Sequence, residues 1–124
     1  MRGSIYFMDM PDHPDVGTHS CELGRRPVVV VSSNIGNRTN STVMVCPITS
    51  KIKHLSCNVT IEWNCDGKAS QVLCNQIVTV PKAKLGPRCG HITLEEQKRV
   101  DIAMCISLGI NVNYNEVRDY DCKR

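Results

Sequence analysis

Aromatic residues and long hydrophobic runs are scarce in this chain. Aromatic side chains account for 4% of its 124 residues, so a core must be built mainly from aliphatic residues, methionine and cysteine. No apolar stretch approaches the ~20 residues that a membrane-spanning helix requires. Asp9 interrupts the only apolar run near the N-terminus, which argues against a secretory signal peptide. We therefore predict a protein without a membrane segment.

The chain also lacks a strong charge bias. Its net charge of +3 is compatible with an anionic partner such as a nucleic acid, but many proteins without such a ligand share it. The hydrophobic fraction of 41% and the charged fraction of 22% are ordinary for a globular protein. A chain of this length is expected to form one domain with a substantial core.

Motifs for metal and cofactor binding are missing. The sequence has no C-x-x-C pair, no tight Cys/His cluster, no P-loop, no dinucleotide-binding fingerprint and no nucleophile elbow. Structural zinc sites use four Cys or His ligands at short, regular spacings. We therefore expect no metal site and no cofactor.

The eight cysteines allow two interpretations. Their even number, together with glycosylation sequons at Asn37, Asn40 and Asn58, would suit a secreted domain held by disulfides. Several cysteines, however, lie inside predicted strands or the predicted helix, where a free thiol behaves as a small buried hydrophobe; these are Cys46, Cys74 and Cys105. We favour reduced thiols in a cytoplasmic protein. Counting free thiols after denaturation separates the two interpretations.

The first two-thirds of the chain show the patterns of β-strands. Short β-branched and alternating runs predict strands at 5–10, 27–32, 42–48, 58–63, 70–74 and 76–80. Between them lie a polar loop at 11–24, a turn at 34–40, a basic loop at 50–56 and a turn at Asp66–Gly67. Several short strands followed by one helix predict a small, strongly bent sheet or barrel.

The last third changes to helical periodicity. Thr93 and Glu96 have the spacing of a capping box, in which each side chain bonds the other residue's backbone N–H. Apolar residues then recur at helical spacing from Val100 onward, and Gly109 is a suitable C-cap. The remaining residues, 111–124, are polar and are predicted to form a loose tail after a domain at 1–110.

Two sets of residues could carry chemistry. The histidines could form an acid–base pair, but we favour the interpretation that all four are solvated loop residues; they are His13, His19, His54 and His91. Arg25 and Arg26 lead into a strand, and a guanidinium presents a rigid fork of donors that suits phosphate oxygens. Thr49 ends another predicted strand. Taken alone, these residues are better interpreted as a solvated arginine pair and an ordinary strand threonine.

A series of motifs resembles the MazF/PemK/Kid toxins of toxin–antitoxin systems. In order, the motifs are RGxIYFxD at 2–9, GRRPVVVVSSN at 24–34, NR at 37–38, TV at 42–43, PITSK at 47–51, SQVLCxQIxTV at 70–80, KLG at 84–86, GHI at 90–92 and VDxAxxISLG at 100–109. They cover about the first 109 residues in the correct order. The resemblance implies a mainly β, SH3-like or CcdB-like barrel of six to seven strands with a C-terminal α-helix.

The same resemblance implies an activity. Members of the family cut single-stranded RNA without a metal, by attack of the 2′-OH on the adjacent phosphorus, and leave a 2′,3′-cyclic phosphate and a 5′-OH. The family's catalytic Arg precedes the Pro of the R-P-V motif and corresponds to Arg26, and its catalytic Thr closes the P-I-T motif and corresponds to Thr49. DNA, which lacks the 2′-OH, should not be cut.

Further residues and partners are implied in the same way. The predicted RNA contacts come from the two loops and from nearby positions: Ser20, Arg25, Ser50, Lys51, Lys53 and Gln76. The implied partners are a second copy of the chain and an acidic, partly disordered antitoxin that covers the RNA groove. Asn75 and Val78 stand where the family often has Glu and Arg, so the recognised RNA sequence stays open.

Two rival interpretations remain. A toxin of the same fold could act by binding a protein, as the CcdB toxins do with DNA gyrase, and would not need the chemistry of Arg26 and Thr49. The other rival is the disulfide-stapled secreted domain. RNA cleavage in EDTA and a thiol count separate these rivals from the endoribonuclease.

Overall fold

The computed structural model describes residues 1–9, 25–64 and 67–111, which contain seven β-strands and two α-helices. The strands are β1 (Ser4–Asp9), β2 (Arg25–Val30), β3 (Thr42–Thr49), β4 (Asn58–Ile61), β5 (Ser70–Leu73), β6 (Val78–Pro81) and β7 (Arg88–His91); the helices are α1 (Asn34–Thr39) and α2 (Leu94–Leu108). A single turn of 3-10 helix, Lys82–Lys84, precedes β7. The mainly β fold with a C-terminal helix is confirmed.

The strands form one antiparallel, curled sheet. Its order is β4-β5-β3-β2-β1-β7, and β6 pairs with β3 off this path. The central strand β3 is eight residues long and pairs with three others: β6 along its first half, β2 along its middle and β5 at its end. The last residue of β3, Thr49, therefore lies at the junction of several strands.

Alternating side chains give the sheet two apolar faces. One face packs against α2 and includes Ile5, Val29, Cys46, Ile48 and Val72, with Val100 and Ala103 from the helix. The other face has its own cluster, composed of Met8, Val28, Val30, Val43, Val45 and Val80. We call the first the helix face. We call the second the open face, because its cluster includes no residue of α2.

The capping box and the C-cap of α2 are confirmed. Thr93 Oγ1 accepts from the Glu96 N–H at 3.1 Å, and Glu96 Oε1 accepts from the Thr93 N–H at 2.8 Å. The second carboxylate oxygen of Glu96 accepts from the Glu62 N–H at 2.6 Å, so the same side chain ties the helix to the end of β4. Gly109 takes the left-handed conformation, with φ of 71°.

An ion pair joins the N-terminus to the middle of α2. Arg2 Nη2 lies 2.5 Å from Asp101 Oδ1, and Gln97 Nε2 donates to the same oxygen at 2.9 Å. Asp101 and Gln97 are both buried. The Arg2–Asp101 pair therefore ties the residues before β1 to α2.

Trp63 brings the two ends of the curled sheet together. Its Nε1 donates to the Cys89 carbonyl in β7 at 3.1 Å, and its ring lies edge-on to Phe7 with 6.4 Å between centroids. The indole lies directly on Gly90: a Cβ at that position would be 2.4 Å from Trp63 Cδ1. Because the indole of Trp63 leaves no room for a Cβ, position 90 requires glycine.

Replacing Gly90 by alanine should destabilise the protein by about 1–3 kcal/mol, the usual cost of overpacking a fixed site. Gly36→Ala is the matched control, because a Cβ there meets nothing nearer than 3.6 Å and alanine favours a helix. Urea unfolding followed by tryptophan fluorescence measures both variants. Equal stability of the two variants would show that the indole moves aside easily.

Several sequence predictions need correction. The predicted turn at 34–40 is the helix α1, because Ser33 caps it by accepting from the Gly36 N–H at 3.3 Å and because buried Asn37 bonds back to Ser32. The strand predicted at 76–80 begins only at Val78, and the one predicted at 58–63 ends at Ile61. Strand β7 was not predicted at all, since its four residues, Arg88 to His91, show no apolar alternation.

Candidate active site

Arg25 and Arg26 begin β2, next to β1. Arg26 is opposite Met8 in the β1–β2 register and is only 8% exposed. Arg25 is opposite Asp9 and is half-buried. Because neighbouring residues of a strand point to opposite faces, the two guanidiniums project in different directions, and Arg26 is on the open face with Met8 and Val28.

Thr49, at the end of β3, is fully buried. Its Oγ1 accepts from the Lys51 N–H at 3.0 Å, which fixes the hydroxyl oxygen at the start of the 50–56 loop. In the β2–β3 register Val28 is opposite Pro47. Continued by two residues, this register aligns Arg26 with Thr49 on the open face. Two strand ends thus supply a guanidinium and a hydroxyl to one region.

The 50–56 loop supplies the nearby positive charge. Lys51 and Lys53 are exposed, and Ser50 is half-buried beside Thr49. A small pocket brings Lys51, Lys53 and Gln76 together; Leu55, Asn58, Leu73 and Asn75 complete its lining. Of the predicted RNA contacts, these three residues therefore share one surface, whereas Ser20 lies outside the described residues.

The two described histidines, His54 and His91, differ in their surroundings. His54 is exposed in the 50–56 loop, but His91 is a residue of β7 and not of a loop. Both nitrogens of the His91 ring lie near backbone carbonyls: Nδ1 is 2.5 Å from the Ile92 oxygen and Nε2 is 3.2 Å from the Arg2 oxygen. The ring of His91 thus contacts the backbone of Ile92 and of Arg2, near the N-terminus. His13 and His19 lie outside the described residues.

Gln71, which belongs to the motif at 70–80 but was not predicted as a site residue, lies directly beside the site. It is opposite Thr49 in the β3–β5 register and opposite Thr60 in the β4–β5 register. Its side chain is polar, yet it is only 4% exposed. The available signal was a glutamine directly before the apolar run at 72–74, within a predicted strand.

Within the described residues, 1–9, 25–64 and 67–111, no group of three or more His, Cys, Asp or Glu side chains is arranged to hold a metal ion. No helix in that part of the chain is long and apolar enough to cross a membrane.

Two buried cysteines are unsuited to act as nucleophiles. Burial raises the pKa of the Cys46 thiol to about 12. Burial also raises the pKa of Cys74, and the neighbouring Cys46, Cys57 and Asp101 act in the same direction. A pKa near 12 leaves roughly one thiol in ten thousand ionised at pH 8, and the thiolate is the reactive form.

Cys46 and Cys74 should therefore resist iodoacetamide in the folded protein at pH 8 and react fully in urea. The half-buried Cys57, Cys89 and Cys105 serve as internal comparisons, and all five are free thiols in the structure. Peptide mass spectrometry measures the labelling of each site. Rapid native labelling of Cys46 would contradict the burial described above.

Solved structures with the same fold are toxins and endoribonucleases. The Mycobacterium tuberculosis toxin MazF-mt6 superposes with a TM-score of 0.71 at 18% identity, covering 88% of this chain and 99% of that chain. An endoribonuclease in complex with its cognate antitoxin, from a mycobacterial species, gives a TM-score of 0.73 at 23% identity, covering 91% of this chain and 98% of that one. At these identities the likeness establishes the fold.

The sequence establishes the family. The profile of the PemK-like, MazF-like toxins of type II toxin–antitoxin systems matches residues 1–108. Endoribonuclease EndoA of Bacillus subtilis (strain 168) is 36% identical over 113 residues, which cover 88% of this chain and 94% of that protein. The chain belongs to the PemK-like, MazF-like toxin family, and the resemblance seen in its motifs is confirmed.

Proposed function

We propose that this protein is a sequence-specific, metal-independent endoribonuclease toxin that cuts single-stranded RNA. The observation that carries the proposal is the β2–β3 register, which, continued by two residues, aligns Arg26 with Thr49 on the open face. Family membership and the likeness to an endoribonuclease support it. The 50–56 loop beside Thr49 adds the positive charge that a phosphate backbone requires.

The reaction uses a nucleophile that the RNA itself contains. The 2′-oxygen loses its proton and forms a bond to the adjacent phosphorus, while the bond from phosphorus to the 5′-oxygen breaks and that oxygen gains a proton. The products are a 2′,3′-cyclic phosphate and a 5′-OH, and no water is consumed. Because the nucleophile is internal, the step needs no metal-bound hydroxide.

Arg26 and Thr49 stabilise the charge that develops on the phosphate oxygens. The guanidinium of Arg26 offers two parallel N–H donors, a geometry that fits two oxygens of one phosphate group. Thr49 accepts a bond from the Lys51 N–H, and a hydroxyl that accepts one bond can donate another. Both side chains are held by strands before the substrate arrives, so little reorganisation is needed in the transition state.

The RNA strand would follow the surface from β2 to the 50–56 loop. Lys51 and Lys53 would hold phosphates, and Gln76, in the same pocket, would contact a base edge. Arg25 and Ser50 flank the two catalytic positions, and Ser20 is proposed as a further contact from the 11–24 loop. Base specificity is expected to reside in the loops, because strands fix only the catalytic pair.

The proposed partners are an antitoxin and a second copy of the chain. A related endoribonuclease has been solved in complex with its cognate antitoxin. An apolar cavity of about 280 Å³ lies between the helix and the sheet and is lined by Val31, Ile77, Met104 and Leu108 among others. The 62% exposure of Leu108 and the 44% exposure of Met44 suit a dimer contact. Light scattering measures whether the protein is dimeric in solution.

We place the active protein in the cytoplasm. The five described cysteines are free thiols, as a reducing compartment requires. The Nδ2 of Asn37, where a glycan would be attached, donates to the Ser32 carbonyl at 3.0 Å, and Asn37 is buried. Both observations disfavour the secreted alternative.

Incubation of the purified protein with a long single-stranded RNA in EDTA tests the proposed activity. We expect discrete fragments with 5′-OH ends, and sequencing of those ends gives the recognised sequence. An all-deoxy strand of the same sequence should stay whole. Intact RNA would refute the proposal and favour a toxin that acts by binding a protein, as CcdB does.

A further inference from the structure

The side chain of Gln71 uses its full hydrogen-bonding capacity. Oε1 accepts from the Lys53 N–H at 3.0 Å and from Asn58 Nδ2 at 3.2 Å. Nε2 donates to the Lys53 carbonyl at 3.1 Å and to Thr60 Oγ1 at 3.2 Å. A primary amide offers two donors and two acceptor positions, and all four are occupied.

The partners of Gln71 also fix the orientation of its amide. The Lys53 N–H can only donate and the Lys53 carbonyl can only accept, so the amide oxygen must face the first and the amide nitrogen the second. Gln71 thus bonds both backbone groups of one loop residue, as a neighbouring strand would. The side chain of Gln71 therefore holds the 50–56 loop to β5 at Lys53.

A second contact holds the same loop two residues earlier. The Lys51 N–H donates to Thr49 Oγ1 at 3.0 Å. Thr49 and Gln71 are opposite each other in the β3–β5 register, so the two anchoring side chains are neighbours on the open face. Together they fix the backbone from which Lys51 and Lys53 project.

The contacts of Gln71 are directed at a surface loop and not at the apolar core. Lys53 and Thr60 are exposed, whereas Gln71 itself is only 4% exposed. If Gln71 were lost, water could solvate the backbone groups of Lys53, so the cost to folding should be small. The cost to the position of the loop should be large, because Gln71 bonds both the N–H and the carbonyl of Lys53.

From this geometry we infer that Gln71 is a positioning residue for RNA cleavage. It holds the 50–56 loop so that Lys51 and Lys53 meet the RNA phosphates beside Thr49. This role rests on the proposed endoribonuclease function and adds a residue to it. Gln71 itself need not touch the RNA.

The main test compares Gln71→Leu with Gln97→Leu. Gln97 is buried to a similar degree, at 7% exposure, but it bonds Asp101 on α2 and not the loop. For each variant kcat and KM are measured at several salt concentrations, on a short RNA that contains one site mapped with the wild-type protein. Thermal unfolding is measured in parallel.

Gln71→Leu should raise KM tenfold or more, because a displaced loop misplaces its lysines. It should also flatten the dependence of log KM on log salt, since fewer lysine–phosphate contacts form. Gln97→Leu should lower the melting temperature and leave KM and the salt dependence unchanged. A purely structural role of Gln71 predicts the opposite: wild-type KM and salt dependence with a lower melting temperature.

Gln71→Glu provides an independent readout and remains informative if the leucine variant does not fold. A carboxylate cannot donate to the Lys53 carbonyl, whereas a protonated carboxyl can donate one bond. The KM of Gln71→Glu, relative to wild type at each pH, should therefore fall as the pH is lowered from about 7 to about 4, through the usual titration range of a glutamate. A constant KM ratio over that range would overturn the inference.

The proposed function and this inference fail in different ways. RNA left whole by the wild-type protein removes both. RNA cut by the wild-type protein, and bound by Gln71→Leu with unchanged KM and salt dependence, removes only the role of Gln71.

Discussion

Replacing Arg26 by lysine is expected to slow RNA cleavage by about 10²–10³-fold. Lysine keeps the positive charge, but its ammonium is a single point and cannot present two parallel N–H donors to one phosphate. Arg26 is 8% exposed at the start of β2, so its fork is held in place by the surrounding strands. Single-turnover cleavage of a short RNA with one site measures the effect.

Arg99→Lys is the matched control for this substitution. Arg99 is exposed on α2 and belongs to none of the proposed RNA contacts, so its replacement should leave the rate unchanged. Circular dichroism establishes that both variants fold. A rate for Arg26→Lys within threefold of wild type would contradict a transition-state role for the guanidinium and leave it a role in binding at most.

Thr49→Val is expected to reduce the cleavage rate by a similar factor, about 10²–10³, the usual loss when one preorganised donor is removed. Valine has nearly the same shape and fits the fully buried position at the end of β3. It removes both the donor to the phosphate and the acceptor for the Lys51 N–H. The loss should therefore appear in kcat and, to a smaller extent, in KM.

Thr49→Ser separates the hydroxyl from the methyl group. Serine keeps the hydroxyl, so its rate should lie within about tenfold of wild type, far above that of valine. Thr79→Val, on the exposed side of β6, is the control for loss of a threonine hydroxyl elsewhere. Equal rates for the serine and valine variants would mean that the hydroxyl at position 49 takes no part in catalysis.

Local patterns were sufficient to predict most of the fold. The capping box at Thr93 and Glu96 and the glycine at 109 define α2, because both act within a few residues of the chain. The β-branched runs that became β2 and β3 were also readable, since they are buried and strongly biased in composition. These elements depend little on the rest of the structure.

The predictions were wrong where distant contacts, or the hydrogen bonds of single side chains, override local preference. Strand β7 has no apolar alternation and forms because β1 pairs with it and Trp63 packs on Gly90. The segment at 34–40 has turn-forming residues, yet Ser33 and Asn37 fold it into a helix. Such contacts join residues far apart in the sequence or depend on one side-chain rotamer.

The candidate site was predictable only in part. The motifs identified Arg26 and Thr49, but nothing in the sequence indicated that both belong to one face; that follows from the β2–β3 register. Gln71 was not identified because its importance lies in a bond to Lys53, 18 residues away in the chain. The assignment of catalytic and RNA-binding residues stays a prediction that the variants above can test.

The strand register also limits how this enzyme could change. Side chains alternate along β3, so inserting one residue between Pro47 and Ile48 would turn the threonine toward α2 and direct Ile48 at the proposed RNA site. The 50–56 loop is not a strand, so adding or removing a residue there does not turn its side chains from one face of the sheet to the other. Variation in loop length and composition could therefore retarget the nuclease to new RNA sequences, whereas a shift by one residue in the strand would abolish cutting altogether.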